Sequence, residues 1–185
     1  MRTHYDRSTN TSADWTRYAL DSRKVFANAE HTFDNGWTAR LNGTHAEATF
    51  NSKLLYSFNY PDQDTGEGLA GFGSLDKGKR KLDSIDTYAS GPFALFGRQH
   101  ELVAGVSYSR QSNRYYSAGA DMDTDDIGVF NNSWNGDIAE PDWSDWTLTS
   151  DDVVRQKSAY TAARFSLADP LSLILGARYT QYSAA

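Results

Sequence analysis

Residues 117 to 153 hold about ten carboxylates, three tryptophans and no lysine or arginine. That density invites a search for chemistry. The run Asp121-Met-Asp-Thr-Asp-Asp126 has the alternating oxygen donors that open a calcium loop. Such a loop needs glycine at its sixth position and glutamate at its twelfth, and Asp126 and Asn132 stand there instead. The stretch is better explained as a solvated acidic loop than as a cation site. Carboxylate pairs at a glycosidase spacing can be drawn almost anywhere in this chain, and the sequence favours none of them. His4, His31, His45 and His100 show no paired spacing of the zinc-binding kind. His31 and His45 are placed to face each other across a hairpin. There is no cysteine, which excludes disulfides and thiolate metal sites. No nucleophile elbow, phosphate loop or dinucleotide fingerprint is present. The sequence offers no catalytic constellation, so the expectation is a protein that is not an enzyme and has no resident cofactor.

Aromatic residues are the stronger candidates. Tyr115, Tyr116, Trp134, Trp143 and Trp146 flank or lie within the acidic segment. Aromatic side chains at a loop mouth stack on and enclose planar or amphipathic ligands. The plainer role is a girdle for the tyrosines and loop anchoring for the tryptophans. Arg40, Arg110, Arg155 and Arg178 form a second set. Pointed into an interior, they would attract an anion, or pair with carboxylates there.

These residues must be positioned by strands. From Tyr160 to Tyr182 the chain alternates around Ala168-Asp169-Pro170. In the second arm Leu171, Leu173, Leu175, Ala177 and Tyr179 share one face. Ser172, Ile174, Gly176, Arg178 and Thr180 share the other, a period of two with Ile174 as the exception. A second hairpin turns at Asp34-Asn35-Gly36, where asparagine and glycine accept positive φ. A third turns at Gly97-Arg98-Gln99, between strands from about Lys79 to Leu95 and from His100 to Tyr116. A loop fills Asn59 to Gly73, and a long aperiodic segment fills 117 to about 153. The result is six strands joined by connections that run short, long, short, long, short. Short turns at one end and long loops at the other mark an antiparallel up-and-down transmembrane β-barrel. The aromatics follow suit, with Phe33, Trp37, Phe93, Phe96 and Phe165 toward the short turns. After His45 the apolar parity changes to Ala46, Ala48 and Phe50, as a β-bulge or a strand leaving the membrane would produce.

Composition sets outer bounds. The chain has 185 residues and a formal net charge of −6, which argues against nucleic acid as a partner. No apolar run approaches the eighteen or so residues of a membrane-spanning helix. That leaves barrels open, because their strands alternate.

The run Arg164-Phe-Ser-Leu-Ala-Asp-Pro-Leu-Ser-Leu-Ile-Leu-Gly-Ala-Arg-Tyr179 resembles a barrel hairpin of the TonB-dependent outer-membrane receptors. Within that family the likeness is to the ferric-siderophore branch and its ferripyoverdine-receptor-like members. Asp86-Thr-Tyr-Ala-Ser-Gly-Pro-Phe-Ala-Leu-Phe-Gly-Arg98, His100-Glu-Leu-Val-Ala-Gly-Val-Ser-Tyr108 and Glu30-His-Thr-Phe-Asp-Asn-Gly-Trp37 resemble further hairpins of the same barrels. The resemblance spans roughly residues 15 to 182, and its specific parts are the three turns. It implies that residues 1–185 are part of a receptor barrel whose plug domain and remaining strands lie elsewhere. Met1 is followed by no apolar signal segment, as expected of an internal piece. Six strands alone would leave two open edges that lipid cannot satisfy.

The resemblance further implies an outer-membrane location and import of a ferric siderophore. Uptake would be driven by the TonB energy-transducing complex, through parts outside this sequence. Iron would arrive inside the ligand, and outer-membrane lipid would surround the wall. In siderophore receptors the pocket is lined by loop aromatics, which favours the ligand-contact role for the five residues named above. Two other readings remain at this point: a passive porin-like barrel, and a soluble all-β carbohydrate-binding module or hydrolase.

Overall fold

Alternating sequence becomes strand throughout. The computed structural model describes residues 7–8, 10–122, 127–130, 134 and 136–185, and no helix occurs among them. The strands are β1 (Arg17–Thr32), β2 (Thr38–Phe58), β3 (Ala70–Leu95), β4 (Arg98–Asp121), β5 (Asp142–Trp143), β6 (Thr147–Ala168) and β7 (Leu171–Ala184). They form one sheet in the order β1-β2-β3-β4-β6-β7, with β5 paired to β4. Each long strand lies beside its neighbours in sequence, which is the up-and-down antiparallel arrangement. The sheet is not closed, since β1 and β7 each end the order.

The sequence suggested six strands; the seventh is β5. Ala120 pairs with Trp143 and Asp121 with Asp142, inside the segment that lacks periodicity. Two residues carry no pattern, so the sequence could not announce it. The strands also run further toward the long loops than their alternation suggested. β3 begins at Ala70 rather than Lys79, β4 continues to Asp121, and β6 begins at Thr147. Glycines caused the misreading. Gly71 and Gly73 sit within β3 because neighbours crowd them. A Cβ at Gly71 would lie 2.8 Å from the Tyr56 carbonyl, and one at Gly73 would lie 2.9 Å from Ala120 and from the Trp143 ring. Strand glycines of this kind mark close approach, not a break.

The three short turns have separate solutions. At the first, the Gly36 amide donates to the Phe33 carbonyl at 3.0 Å, and Gly36 has a φ of +82°. This is a turn closed by a left-handed residue, the usual three-residue hairpin. The second falls on Phe96 and Gly97, one residue earlier than the spacing suggested. Both have positive φ, 51° and 74°, as a two-residue type I′ turn requires. Phe96 takes a conformation usually left to asparagine or glycine. The third spans Asp169 and Pro170, with a register shift between Ser166 and Ala168.

By packing, the chain divides into two units: Met1–Asp21 with Thr49–Lys79 and Arg114–Asp151, and Ser22–Ala48 with Arg80–Asn113 and Asp152–Ala185. The second unit is a two-faced wall. On one face a polar belt crosses the strands. Arg40 pairs with Glu30 and donates to the Tyr88 hydroxyl at 3.0 Å. Tyr160 donates to Asp86 at 3.0 Å. Arg178 donates to the Ser158 hydroxyl at 2.9 Å and lies over the Tyr160 ring. Tyr160 on β6 reaches Asp86 on β3 by passing over β4 at Gly105. A Cβ there would come within 2.6 Å of the Tyr160 hydroxyl and of Tyr88.

The other face is apolar. Ile85, Thr87, Val106, Tyr108, Ala159 and Tyr179 lie together on it. Toward the short turns it closes with His100 between the rings of Phe93 and Phe165, at 5.2 and 5.6 Å. His100 is buried, its Nδ1 accepting from the Ser166 amide at 3.0 Å and its Nε2 donating to the Leu95 carbonyl at 3.0 Å. Along β3, Phe93 to Ile85 spans about 26 Å at ~3.3 Å per residue. That approaches the height of a barrel's lipid-facing band once strand tilt is allowed for.

The first unit holds the long connections. Leu69, Ile127 and Phe130 form its small core, with Leu55, Met122, Trp134 and Ile138 against them. Backbone bonds from Ile127 to Leu69 and from Phe130 to Gly66 zip two loops together. The acidic calcium-like run lies largely outside the described residues, as does His4.

Gly105→Val tests the crossing tyrosine. The added methyls must displace Tyr160, and overpacking of this kind costs about 1–3 kcal/mol. We expect the protein carrying this change to unfold at lower temperature, and Tyr160→Phe to show a smaller loss. Equal stability of Gly105→Val and the parent would mean that the tyrosine is free to move.

Candidate functional site

Within the first unit, the residues that could hold a ligand form a row of rings. Tyr18 on β1 stacks on Phe50 of β2, with centroids 6.2 Å apart and planes 9° from parallel. Phe50 meets Tyr115 of β4 at 5.7 Å. One strand, β3, lies between their backbones, and the residue beneath is Gly78. A Cβ at Gly78 would lie 2.2 Å from the Tyr115 ring and 2.4 Å from Phe50. Glycine at this place is what lets rings from β2 and β4 touch over β3. Tyr18 is 62% exposed, so the row presents a ring face outward.

Asp76 stands two residues along β3 from Gly78, on the same face by strand alternation. Its carboxylate accepts from Ser117 Oγ at 2.6 Å and from Ser74. Two hydroxyl donors satisfy the carboxylate. The arrangement can stack on a planar group and offer hydroxyls around it. Among the described residues no three His, Asp or Glu converge as a metal site.

The five aromatics singled out from the sequence are not gathered in one place. Tyr115 is in the ring row. Tyr116, the next residue, points to the opposite face, where Lys77 Nζ lies 5.5 Å from its ring and 3.8 Å from that of Trp146. Trp134 packs on Phe130 at 5.3 Å as part of the loop core, its indole 3.4 Å from the Ser12 carbonyl. Trp143 meets Trp15 edge-on at 5.9 Å and donates to Glu140 at 3.0 Å. Tyr18 and Phe50 were not among the aromatics singled out from the sequence. The signal that could have found them is Gly78, a lone glycine between two lysines in a strand.

The arginines also divide. Arg40 and Arg178 belong to the polar belt. Arg155 and Arg110 sit on the apolar side, because Arg155 is odd-numbered on a strand whose even residues Ser158 and Tyr160 carry the belt, and Arg110 is out of phase with Gly105. His31 and His45 do not face each other. His31 packs on Phe33 at 4.5 Å, and His45 Nδ1 lies 2.6 Å from Asp83.

Comparison with known proteins places these features in a family context. The family model described as "TonB dependent receptor-like, beta-barrel" matches residues 2–185. The chain is 36% identical to the ferripyoverdine receptor of Pseudomonas aeruginosa over 186 residues, covering 98% of this chain and 22% of the relative. It is 35% identical to a ferric-pyoverdine BN7/BN8 receptor of Pseudomonas putida over 182 residues, covering 96% and 22%. A crystal structure of the ferripyoverdine receptor of the outer membrane of Pseudomonas aeruginosa, bound to ferripyoverdine, superposes with a TM-score of 0.88 at 33% identity. The match covers 100% of this chain and 24% of that one. The chain therefore spans about a fifth of the length of the curated relatives it matches.

Two loop carboxylates titrate with the fold. Glu140 is held below the usual carboxylate range, first by its hydrogen bond from Lys53 and then by the Trp143 indole. Asp62 is lowered by the Thr65 and Asp64 amides, which close its own turn. A pKa lowered by folding gives stability that is present above the ordinary value, 4.5 for Glu140, and lost as pH falls through the folded value. Tryptophan fluorescence of the protein should hold steady from neutral pH to about that value and shift below it, and Glu140→Gln should produce the shift at neutral pH. An unshifted Glu140→Gln spectrum would show that the carboxylate does not hold Trp143.

Proposed function

This chain belongs to the TonB dependent receptor-like β-barrel family, and on that premise we propose that it forms part of the wall of an outer-membrane receptor that binds a ferric siderophore. The parent protein imports the chelate by TonB-coupled active transport across the outer membrane of a Gram-negative bacterium. The observation that carries the ligand side of this reading is the ring row Tyr18–Phe50–Tyr115 over Gly78. Siderophores bring planar aromatic or amide groups around their iron, and rings of this kind stack on them. Iron travels within the ligand, so the protein needs no metal ligands of its own.

The wall itself supports a lipid location. The second unit has one polar and one apolar face, as a strand wall between lumen and lipid must have. Its belt arginines are already engaged, Arg40 by Glu30 and Arg178 by hydroxyls. They shape the lumen surface rather than await an anion. No covalent step is involved: the role is binding followed by gated passage, and the protein is not an enzyme. Trp134 and Trp143 anchor loops, while Tyr115 contacts the ligand. The named relatives are ferric-siderophore receptors, which favours this reading over a passive porin or a soluble carbohydrate-binding module.

The test uses a strain lacking the parent gene. Complementation should restore uptake of radiolabelled ferric siderophore, and disruption of the energy-coupling complex should abolish it. Phe50→Ala with Tyr115→Ala should weaken chelate binding about tenfold or more, given that ring contacts are worth about 1 kcal/mol each beyond area burial. Binding unchanged in that double variant would remove the ring row from the site. Uptake that persists without energy coupling would favour the passive channel.

A further inference from the structure

We propose that Asp76 makes the ring row selective for chelates that carry a positive charge. This inference rests on the chelate-binding role proposed above and assigns that site its charge preference. Asp76 lies two residues from Gly78 on β3, on the face over which Phe50 and Tyr115 meet. Phe72 stands four residues before Asp76 and shares its face. It stacks on Tyr56 of β2 at 5.1 Å and meets Phe58 at 6.4 Å. The carboxylate therefore sits between two groups of rings. Their positions on β3 are roughly 7 and roughly 13 Å away along the strand, at ~3.3 Å per residue. Ring faces are electron-rich, so a cation placed here is held by rings and carboxylate together.

The hydrogen bonds of Asp76 leave its charge in place. Ser117 Oγ donates to one carboxylate oxygen at 2.6 Å, and Ser74 Oγ donates to the other. A hydroxyl fills a lone pair without bringing a positive charge, and each oxygen keeps a further acceptor direction. Asp76 is half-buried, and among the described residues it forms no ion pair.

Strand alternation keeps cations away from it. Arg17 precedes Tyr18, Lys77 and Lys79 flank Gly78, Arg114 precedes Tyr115, and Lys53 is out of phase with Phe50. Among the described strand residues of this unit, every lysine and arginine therefore lies on the face opposite the ring row. Their contacts lie on that face as well: Glu140 for Lys53, Asp151 for Arg114, and the Trp146 ring for Lys77. Asp121, in phase with Ser117 on β4, pairs with Asp142 of β5 and adds charge of the same sign to the ring face. A bare metal ion would need several converging oxygen ligands, and among the described residues no such group exists. An organic cation, such as an ammonium or guanidinium group on a chelate, needs only the carboxylate and the ring faces. An anionic chelate is opposed by the same carboxylate, so one residue both attracts and rejects.

The test varies charge on a single chelate. A linear ferric trihydroxamate ending in a primary amine is used as such, N-acetylated, or N-succinylated, so that its tail is positive, neutral or negative at neutral pH. Equilibrium binding of each radiolabelled form to the full-length parent protein is measured. The amine form should bind about fivefold tighter than the acetylated form, as one cation–π contact or one exposed ion pair contributes, and the succinylated form should bind weakest. Asp76→Asn keeps the size of the side chain and one acceptor oxygen. It should leave binding of the acetylated form unchanged and bring the three forms to within about twofold of one another. Ser117→Ala removes a hydroxyl donor but keeps the charge, and should keep the order. In the wild type alone, raised salt should compress the order, because salt screens a half-exposed charge. Three equal affinities in the wild type, an order that salt does not change, or an unchanged order in Asp76→Asn overturns the preference and leaves the ring row as a neutral aromatic site. Loss of the order in Ser117→Ala assigns it to the hydroxyl network and overturns it too. Failure of all three forms to bind removes the ring row as a chelate site, and the preference with it.

Discussion

Neighbouring side chains on a strand must point to opposite faces, and this single rule sorts the whole molecule. It separates Tyr115 from Tyr116, sending one to a ring row and the other to a lysine. It separates Arg40 and Arg178, which are bonded within a polar belt, from Arg110 and Arg155, which are not. It sets His100 among phenylalanines and Asp86 against the Tyr160 hydroxyl. Because each strand has a wet side and a greasy side, the wall needs no deep core. Among the described residues no side chain is both large and wholly buried.

Glycine then edits what alternation lays down. Gly78, Gly91 and Gly105 each stand in a strand where a ring from a neighbour passes over the backbone: Phe50 and Tyr115, Trp37, and Tyr160. A strand residue can contact its immediate neighbours without help. Contact between strands two places apart requires the one between to be bare. The ring row and the Tyr160–Asp86 bond are both of this longer kind, so the features that look most functional depend on residues with no side chain at all.

Much of this was legible in the sequence and some was not. Period-two alternation, the asymmetry of short and long connections, and the Asp34-Asn35-Gly36 turn led directly to the antiparallel wall. The second turn was misplaced because Gly97 drew attention while Phe96, which shares the left-handed conformation, carries no such signal. The strand ends were cut short because Gly71 and Gly73 read as loop residues. The candidate ring row was only partly visible. Tyr115 belongs to the ring row, but Trp134 and Trp143 are committed to loop packing, and only cross-strand register brings Tyr18 and Phe50 to Tyr115. Register depends on turns and neighbours, which a residue list does not display.

The tyrosine that spans β4 has a mechanical side. A wall of parallel rods joined edge to edge is weakest when one rod slides along the next by a pair of residues, because every ladder bond can re-form after the slip. Tyr160 is fastened to Asp86 across an intermediate rod. A slide at either the β3–β4 or the β4–β6 seam would move the two anchor points apart, so one hydrogen bond braces two seams against shear. A wall braced diagonally can be pushed by a ligand or a loop and still return to the same setting.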